Sequence, residues 1–209
     1  MTDLSLLEAR VLGTLVEKQH TVPDSYPLTL NALVTGCNQK TSRAPVMEAT
    51  EAEVQASLDS LKGRNLVIES SGGRVARYTH NAEAVLKVPS QSVAILAVLM
   101  LRGPQTPGEL RINCDRLHRF ADISALEAFL QELAARPAGA LVVQLARLPG
   151  ARENRWAHLL SGTPAASNLQ KEEGVKQEQS LEARVARLES EVAELRAIVD
   201  RMQEKLRLQ

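Results

Sequence analysis

Two segments of the chain carry arginines at the same spacing. Residues 72–80 and 150–158 both read Gly-x-Arg-x-x-Arg-aromatic-x-His, so the chain contains an internal duplication. A guanidinium group donates paired hydrogen bonds to phosphate oxygens, and these arginines lie beside turn residues that predict hairpins. We therefore expect them to hold the backbone of double-stranded DNA. The candidate residues are Arg74, Arg77, Arg152 and Arg155.

A second candidate group lies in the loop that precedes the third helix of the first repeat. No Asp or Glu occurs from residue 25 to residue 47, and the second repeat has no counterpart to this loop. Lys and Arg bind phosphates, whereas Asn, Gln and Arg can bind base edges, so the loop is suited to reading DNA. The candidate DNA-binding residues here are Asn38, Gln39, Lys40, Ser42 and Arg43.

Both groups also have a structural interpretation, which the sequence alone leaves open. One arginine of each hairpin pair would then bind a carboxylate of a third helix instead of DNA. In the loop, Asn38 and Gln39 would end the second helix. Arg43 would pair with Glu48 or Glu51.

The aromatic and histidine residues of the duplicated pattern are expected to be structural. Tyr78 and Trp156 fall on hairpin strands, and we predict that they pack on the third helices rather than stack on bases. His80 and His158 each lack a neighbouring carboxylate or cysteine that would complete a metal site. We therefore predict hydrogen-bonded strand residues at both positions.

These side chains must be positioned by secondary structure, and both repeats predict the same order of elements. Each begins with a helix that has one apolar face, continues with a second helix after a turn containing proline, and ends with a third helix and a β-hairpin. Ser5 with Glu8, and Thr50 with Glu53, have the spacing of capping boxes. We predict a mainly α fold with small β-hairpins, an α+β class, made of two tandem winged helix-turn-helix domains at residues 1–86 and 87–162.

The remainder of the chain predicts a linker and a dimer interface. Residues 163–180 are polar without an apolar period, which is typical of a flexible linker. Residues 181–209 have apolar positions in heptads, with valine at a and leucine at d, and this pattern favours a parallel coiled-coil homodimer. The alternative is an amphipathic helix folded back on its own wings. The predicted dimerisation residues are Leu181, Val185, Leu188, Val192, Leu195, Val199, Met202 and Leu206.

Composition limits the possible functions. The chain has 25 Lys and Arg against 25 Asp and Glu, so DNA contacts must come from local clusters rather than from overall charge. It shows no export signal and no long apolar run, and we expect a cytoplasmic protein. Cys37 and Cys114 lack metal-binding spacing and are expected to be buried thiols. Because no phosphate loop, hydrolase elbow or zinc-protease motif occurs, we expect no enzymatic activity, no cofactor and no metal.

Three segments resemble the YceH-like family of bacterial proteins. They are Cys-Asn-Gln-Lys-Thr-Ser-Arg-Ala-Pro-Val-Met at 37–47, Gln-Thr-Pro-Gly-Glu-Leu-Arg at 105–111 and His-Leu-Leu-Ser-Gly at 158–162. The resemblance covers roughly residues 4–162. It implies a tandem winged-helix fold in a bacterial cytoplasmic protein, and it implies no activity. Trp156 stands where the family more often has Tyr, so a role for a hydroxyl group at that position is in doubt.

The acidic residues of the third helices bear on the choice between two functional hypotheses. These residues oppose a simple contact with phosphates, although capping and the helix dipole explain part of the acidity. Our leading hypothesis is a dimeric, non-enzymatic protein that binds double-stranded DNA and acts in transcriptional regulation. The alternative is a protein–protein adaptor whose acidic third helices bind a basic partner. The acidic residues are Glu51, Glu53, Asp59, Asp122, Glu127 and Glu132.

Overall fold

The computed structural model describes residues 3–70, 72, 75–147 and 150–162 of the 209-residue chain. The chain divides into two units at residue 163, and every described residue belongs to the first unit. Arg74, the predicted linker and the predicted coiled coil with its dimerisation residues lie outside the described residues.

The first repeat contains three helices followed by two strands. A short 3-10 turn, Pro23–Ser25, follows the first helix. The two strands are antiparallel, with Val67 opposite His80 at one end of the pair. The elements are α1 (Leu6–Thr21), α2 (Leu30–Cys37), α3 (Glu51–Gly63), β1 (Val67–Ser70) and β2 (Arg77–His80).

The second repeat has the same order of elements after a connecting helix, α4 (Ala82–Leu86). Its elements are α5 (Ser90–Arg102), α6 (Pro107–Cys114), α7 (Ile123–Ala134), β3 (Val142–Gln144) and β4 (Trp156–His158). Among the described residues the strands form two antiparallel sheets of two strands each. The predicted α+β class, mainly helical with small β-hairpins, is confirmed. The sequence analysis did not predict α4 or the 3-10 turn.

Side-chain caps mark the start of α1, α2, α3, α6 and α7. A serine or threonine accepts a hydrogen bond from the backbone N–H three residues later, and a glutamate at that later position accepts one from the cap N–H in return. The predicted capping boxes of α1 and α3 are confirmed, and α6 has a third. Helix α2 begins at Leu30, because Thr29 is its cap. The three boxes are Ser5 with Glu8, Thr50 with Glu53 and Thr106 with Glu109.

The duplication extends to individual contacts. Tyr78 forms an antiparallel bridge with Leu28, and Trp156 forms the equivalent bridge with Gln105, so each hairpin is joined to the segment before its second helix. The two aromatic residues are 3% and 7% exposed, which confirms the predicted core positions. Cys37 and Cys114, which end α2 and α6, are both fully buried as predicted.

The two repeats share one hydrophobic core, at whose centre α1 packs against α5. Residues 8–16 of α1 and 92–101 of α5 are all buried, so these helices are enclosed on every side instead of on one apolar face. Their close approach depends on Gly13, where a β-carbon would lie 3.0 Å from Leu101 Cγ.

The ends of the described chain also meet. The backbone N–H of Leu4 donates to the carbonyl of Leu160 at 2.7 Å, which joins the start of the first repeat to the end of the second. The Arg64 guanidinium donates to the Asp3 carbonyl at 3.2 Å and adds a contact from the end of α3. The two repeats are therefore joined both by the central packing of α1 on α5 and by contacts between the ends of the described chain.

We predict that Gly36→Ala destabilises the protein whereas Gly63→Ala does not. A β-carbon at Gly36 would lie 2.6 Å from Thr14 Cγ2, and overpacking of this kind costs about 1–3 kcal/mol. A β-carbon at Gly63 has nothing within 4 Å, so that variant should be neutral or more stable by up to about 1 kcal/mol. Urea unfolding of both variants measures the difference. Equal stability of the two would contradict the packing of α1 against α2.

The two histidines of the duplicated pattern are held in their neutral form. Burial lowers the pKa of His80 and of His158 to about 4, from an ordinary value of 6.5, and the charge of His20 adds to the effect at His80. His80 Nδ1 accepts from the backbone N–H of Ala82, and its Nε2 contacts Gln19 Oε1. The predicted hydrogen-bonded role is confirmed for His80, whereas the buried Nδ1 of His158 has no partner among the described residues.

These lowered pKa values predict an acid-sensitive fold. Between pH 6.5 and about pH 4 the unfolded chain binds protons on the two imidazoles and the folded chain does not, so the free energy of unfolding falls as the pH falls. Each histidine contributes at most about 1.4 kcal/mol per pH unit. We expect His80→Gln with His158→Gln to flatten this dependence, measured by urea unfolding at several pH values. An unchanged slope in the double variant would contradict the assignment.

Candidate nucleic-acid interface

The loop between α2 and α3 is fixed by its own polar side chains. Asn38 makes two hydrogen bonds of 2.8 Å to Ala49, donating to its carbonyl and accepting from its N–H. This side chain therefore joins the two ends of the loop. Its amide oxygen and one N–H donor are engaged by Ala49, although both would be needed to bind a base edge. We call residues 38–45 the junction loop, because the loop also contacts α5 of the second repeat.

Arg43 lies inside the junction loop and not on its surface. It is 6% exposed, and its donors are directed to the Gly36 carbonyl, to the carboxylate of Glu17 and to Gln39 Oε1. The closest ion-pair distance, Arg43 Nη2 to Glu17 Oε2, is 2.6 Å. A base or phosphate could reach this guanidinium only by displacing Glu17, which corrects the expectation that Arg43 touches DNA. The sequence alternative is also corrected, because the carboxylate partner belongs to α1.

Glu17 remains ionised in this position. Burial raises the pKa of its carboxyl group, but the hydrogen bonds and charge of Arg43, aided by Lys18, outweigh that effect and hold the pKa below its ordinary value. The ion pair therefore persists across the neutral pH range. It fixes the junction loop against α1.

The other loop candidates differ in what they offer to a ligand. Gln39 Oε1 is occupied by Arg43 at 2.9 Å and by Lys18 at 3.4 Å. Ser42 has a left-handed backbone with φ of 60°, and its Oγ accepts from Arg102 Nη2 at 2.7 Å. Lys40 is exposed. The structure therefore leaves Lys40 and the Ser42 hydroxyl at the loop surface and turns the remaining candidates inward.

A buried arginine that the sequence alone did not single out lies against the inner side of the loop. Arg10 of α1 is only 1% exposed, and it donates to the carbonyls of Cys37 at 3.1 Å and Pro45 at 2.6 Å. Its Nε is buried without a partner among the described residues. Burial, and then the neighbouring charge of Arg43, lower the pKa of this guanidinium. The available signal was an arginine placed between apolar residues of the first helix.

The hairpin arginines lie at the outer part of each repeat. Arg77 is exposed on β2 and donates to the Pro27 carbonyl at 2.7 Å, and not to a third-helix carboxylate. Arg152 is exposed, and Arg155 is half-buried before β4. Arg74 lies outside the described residues. The structure thus leaves at least one exposed guanidinium on the hairpin of each repeat.

The third helices present acidic side chains to solvent. Glu53 is used by the capping box of α3, and Asp59 pairs with Lys62 at 2.9 Å. In α7, Asp122 caps the helix start, while Glu127 and Glu132 are exposed. These helix faces would repel a phosphate backbone.

Within the described ranges, no group of three or more His, Cys, Asp or Glu side chains could hold a metal ion. Among the same residues, no helix combines the length and apolar character needed to cross a membrane.

Comparison with known proteins identifies the family. A family model described as "Protein of unknown function, DUF480" matches residues 4–151. The UPF0502 protein of Dechloromonas aromatica is 64% identical over 200 residues, which are 94% of each chain. The UPF0502 protein of Burkholderia multivorans is 56% identical over 99% of this chain and 90% of its own length. The chain therefore belongs to this bacterial family, which is the YceH-like family that its residues resemble.

Proposed function

We propose that each repeat is a winged helix and that the protein binds double-stranded DNA through its hairpins, in a role in transcriptional regulation. The supporting observation is an exposed arginine in each hairpin, Arg77 at the start of β2 in the first repeat and Arg152 in the turn before β4 in the second. Three helices followed by a hairpin is the winged-helix order, and hairpins of such domains contact the phosphate backbone.

The contact proposed here differs from insertion of the third helix into the major groove. Exposed carboxylates on α3 and α7 oppose a close approach of those helices to phosphate. The hairpin arginines act as backbone contacts, which bind DNA with little dependence on sequence. Lys40 at the surface of the junction loop adds a third cation. Arg43 has no part in this contact, because it is buried against Glu17.

Self-association would strengthen so small a set of contacts. The heptads of residues 181–209 favour a parallel homodimer, which would double the hairpins on one assembly. A second binding event within the same assembly occurs at a high effective concentration, so affinity rises without new contacts. We include the coiled-coil dimer in the proposed function.

A second candidate function is that of a protein–protein adaptor. The specific observation that favours it is the exposed acidic face of α3 and α7, with Glu51 on the first and Glu127 and Glu132 on the second. Opposite charges steer association and specificity between proteins. A basic peptide that binds the wild type and loses affinity for Glu51→Gln with Glu127→Gln, under conditions where duplex DNA does not bind, would favour the adaptor.

We predict that Arg77→Gln combined with Arg152→Gln weakens DNA binding at every sequence tested. Three phosphate contacts per chain contribute roughly −3 for each bound chain to the slope of log affinity against log salt, and the double variant should reduce its magnitude by about 2 for each bound chain. Fluorescence anisotropy with a labelled random duplex at several salt concentrations measures both quantities. The matched control is Lys87→Gln, which removes an exposed cation of the segment between the repeats. An equal loss in the control, or no loss in the double variant, would overturn the hairpin contact.

A further inference from the structure

The junction loop lies in a cluster of cations that exceeds its carboxylates. Five basic side chains belong to the loop or to the helices that contact it, and among the described residues only Glu17 lies within ion-pair distance of any of them. Glu17 pairs with Arg43 at 2.6 Å and contacts Lys18 at 3.5 Å. The five cations are Arg10, Lys18, Lys40, Arg43 and Arg102.

Two of these cations are buried and are therefore not solvated by bulk water. Arg10 and Arg43 are buried, and apart from Glu17 they donate to the neutral oxygens of backbone carbonyls and of Gln39. A buried charge is costly unless it is paired, and a carbonyl dipole offsets only part of a full charge. The buried guanidiniums therefore give the loop surface a positive potential. An anion at that surface would offset it.

The surface of the loop also carries free donors. Among the described contacts, the backbone N–H groups of Lys40, Thr41 and Ser42 donate to no carbonyl or side chain. Neighbouring N–H groups in a turn that enters the left-handed region can form a concave anion site, and Ser42 has a φ of 60°. Because Ser42 Oγ accepts from Arg102, its hydroxyl hydrogen remains available to an anion.

The loop is held in place before any ligand arrives. The N–H of Ala44 donates to the Leu101 carbonyl at 2.8 Å, and Arg102 binds Ser42 at 2.7 Å, so α5 of the second repeat anchors a loop of the first. Arg43 anchors the same loop to α1 through Glu17. A preformed set of donors loses little conformational entropy on binding.

We propose that the junction loop binds a phosphate group. Lys40, the Ser42 hydroxyl and the half-buried Arg102 form the side-chain contacts, and the backbone N–H groups of residues 40–42 complete the site. Arg10 and Arg43 are buried beneath the loop and supply positive charge without touching the ligand. A phosphate fits because it has several oxygens, and a lysine, an arginine bonded to Ser42 and the N–H groups of one turn all belong to this loop or to the helix end beside it. The second repeat lacks this loop, so each chain has one such site.

The test is thermal unfolding of the full chain in inorganic phosphate, compared with sodium chloride at equal ionic strength and pH. At about ten times the dissociation constant, phosphate should raise the melting temperature by roughly 3–6 °C above the chloride value. Lys40→Gln, which changes only an exposed side chain, should reduce this rise, and Lys40→Gln with Arg102→Gln should abolish it. The control is Arg116→Gln, which removes an exposed cation of the second repeat and should keep the full rise.

Two results would overturn the proposal. One is a melting temperature in phosphate equal to that in chloride. The other is a rise that Lys40→Gln and the double variant retain as fully as Arg116→Gln does, because the ion would then bind elsewhere.

A second experiment, which rests on the proposed function, distinguishes a phosphate of the DNA backbone from a free phosphorylated ligand. If inorganic phosphate displaces labelled duplex DNA more strongly than chloride does at equal ionic strength, the site takes a phosphate of the DNA backbone. If phosphate raises the melting temperature but leaves DNA binding unchanged, the site takes a free phosphorylated ligand. If no DNA binds in either salt, the DNA proposal fails while the thermal result still supports the phosphate site.

Discussion

The packing of α1 against α5 is the contact on which the rest of the described structure depends. Both helices are enclosed by apolar side chains along most of their length, so neither repeat has a complete core without the other. Gly13 permits the close approach of Leu101, and this contact brings α5 near the loop that follows α2. Arg10, Thr14 and Glu17 all project from α1 toward that loop or the helix before it. The central helix therefore supplies the core and the polar anchors together.

The pair of Arg43 and Glu17 joins local folding to the electrostatics of the surface. Arg43 satisfies the Gly36 carbonyl near the end of α2, where backbone acceptors lack helical partners, and it closes the loop onto α1. One carboxylate serves a region with several guanidiniums, so the ion pair does not neutralise the loop. Arg43, which the sequence predicts as a DNA contact, is thus a buried residue that contributes packing and positive charge to the loop. Lys40 is the exposed cation of the same loop.

Local signals made much of the fold predictable from sequence. The caps at Ser5 and Thr50 have fixed spacing, and the duplicated pattern predicted two equivalent hairpins with buried Tyr78 and Trp156. The buried contacts of the candidate site were harder to predict from sequence. Glu17 lies 26 residues before Arg43, so no local pattern connects them. Arg10 interrupts an apolar helix and would be placed at the surface by any rule that considers residue type alone.

The meeting of Leu4 with Leu160 has a consequence for the topology of the fold. The two ends of residues 3–162 are hydrogen-bonded to each other. The described unit is therefore suited to circular permutation, in which the old ends are joined and new ends are opened elsewhere. A chain rearranged to start in the α4 segment and to carry a short bridge between the old ends would preserve the α1–α5 contact. The packing itself therefore does not require the two repeats to follow one another in this order along the chain.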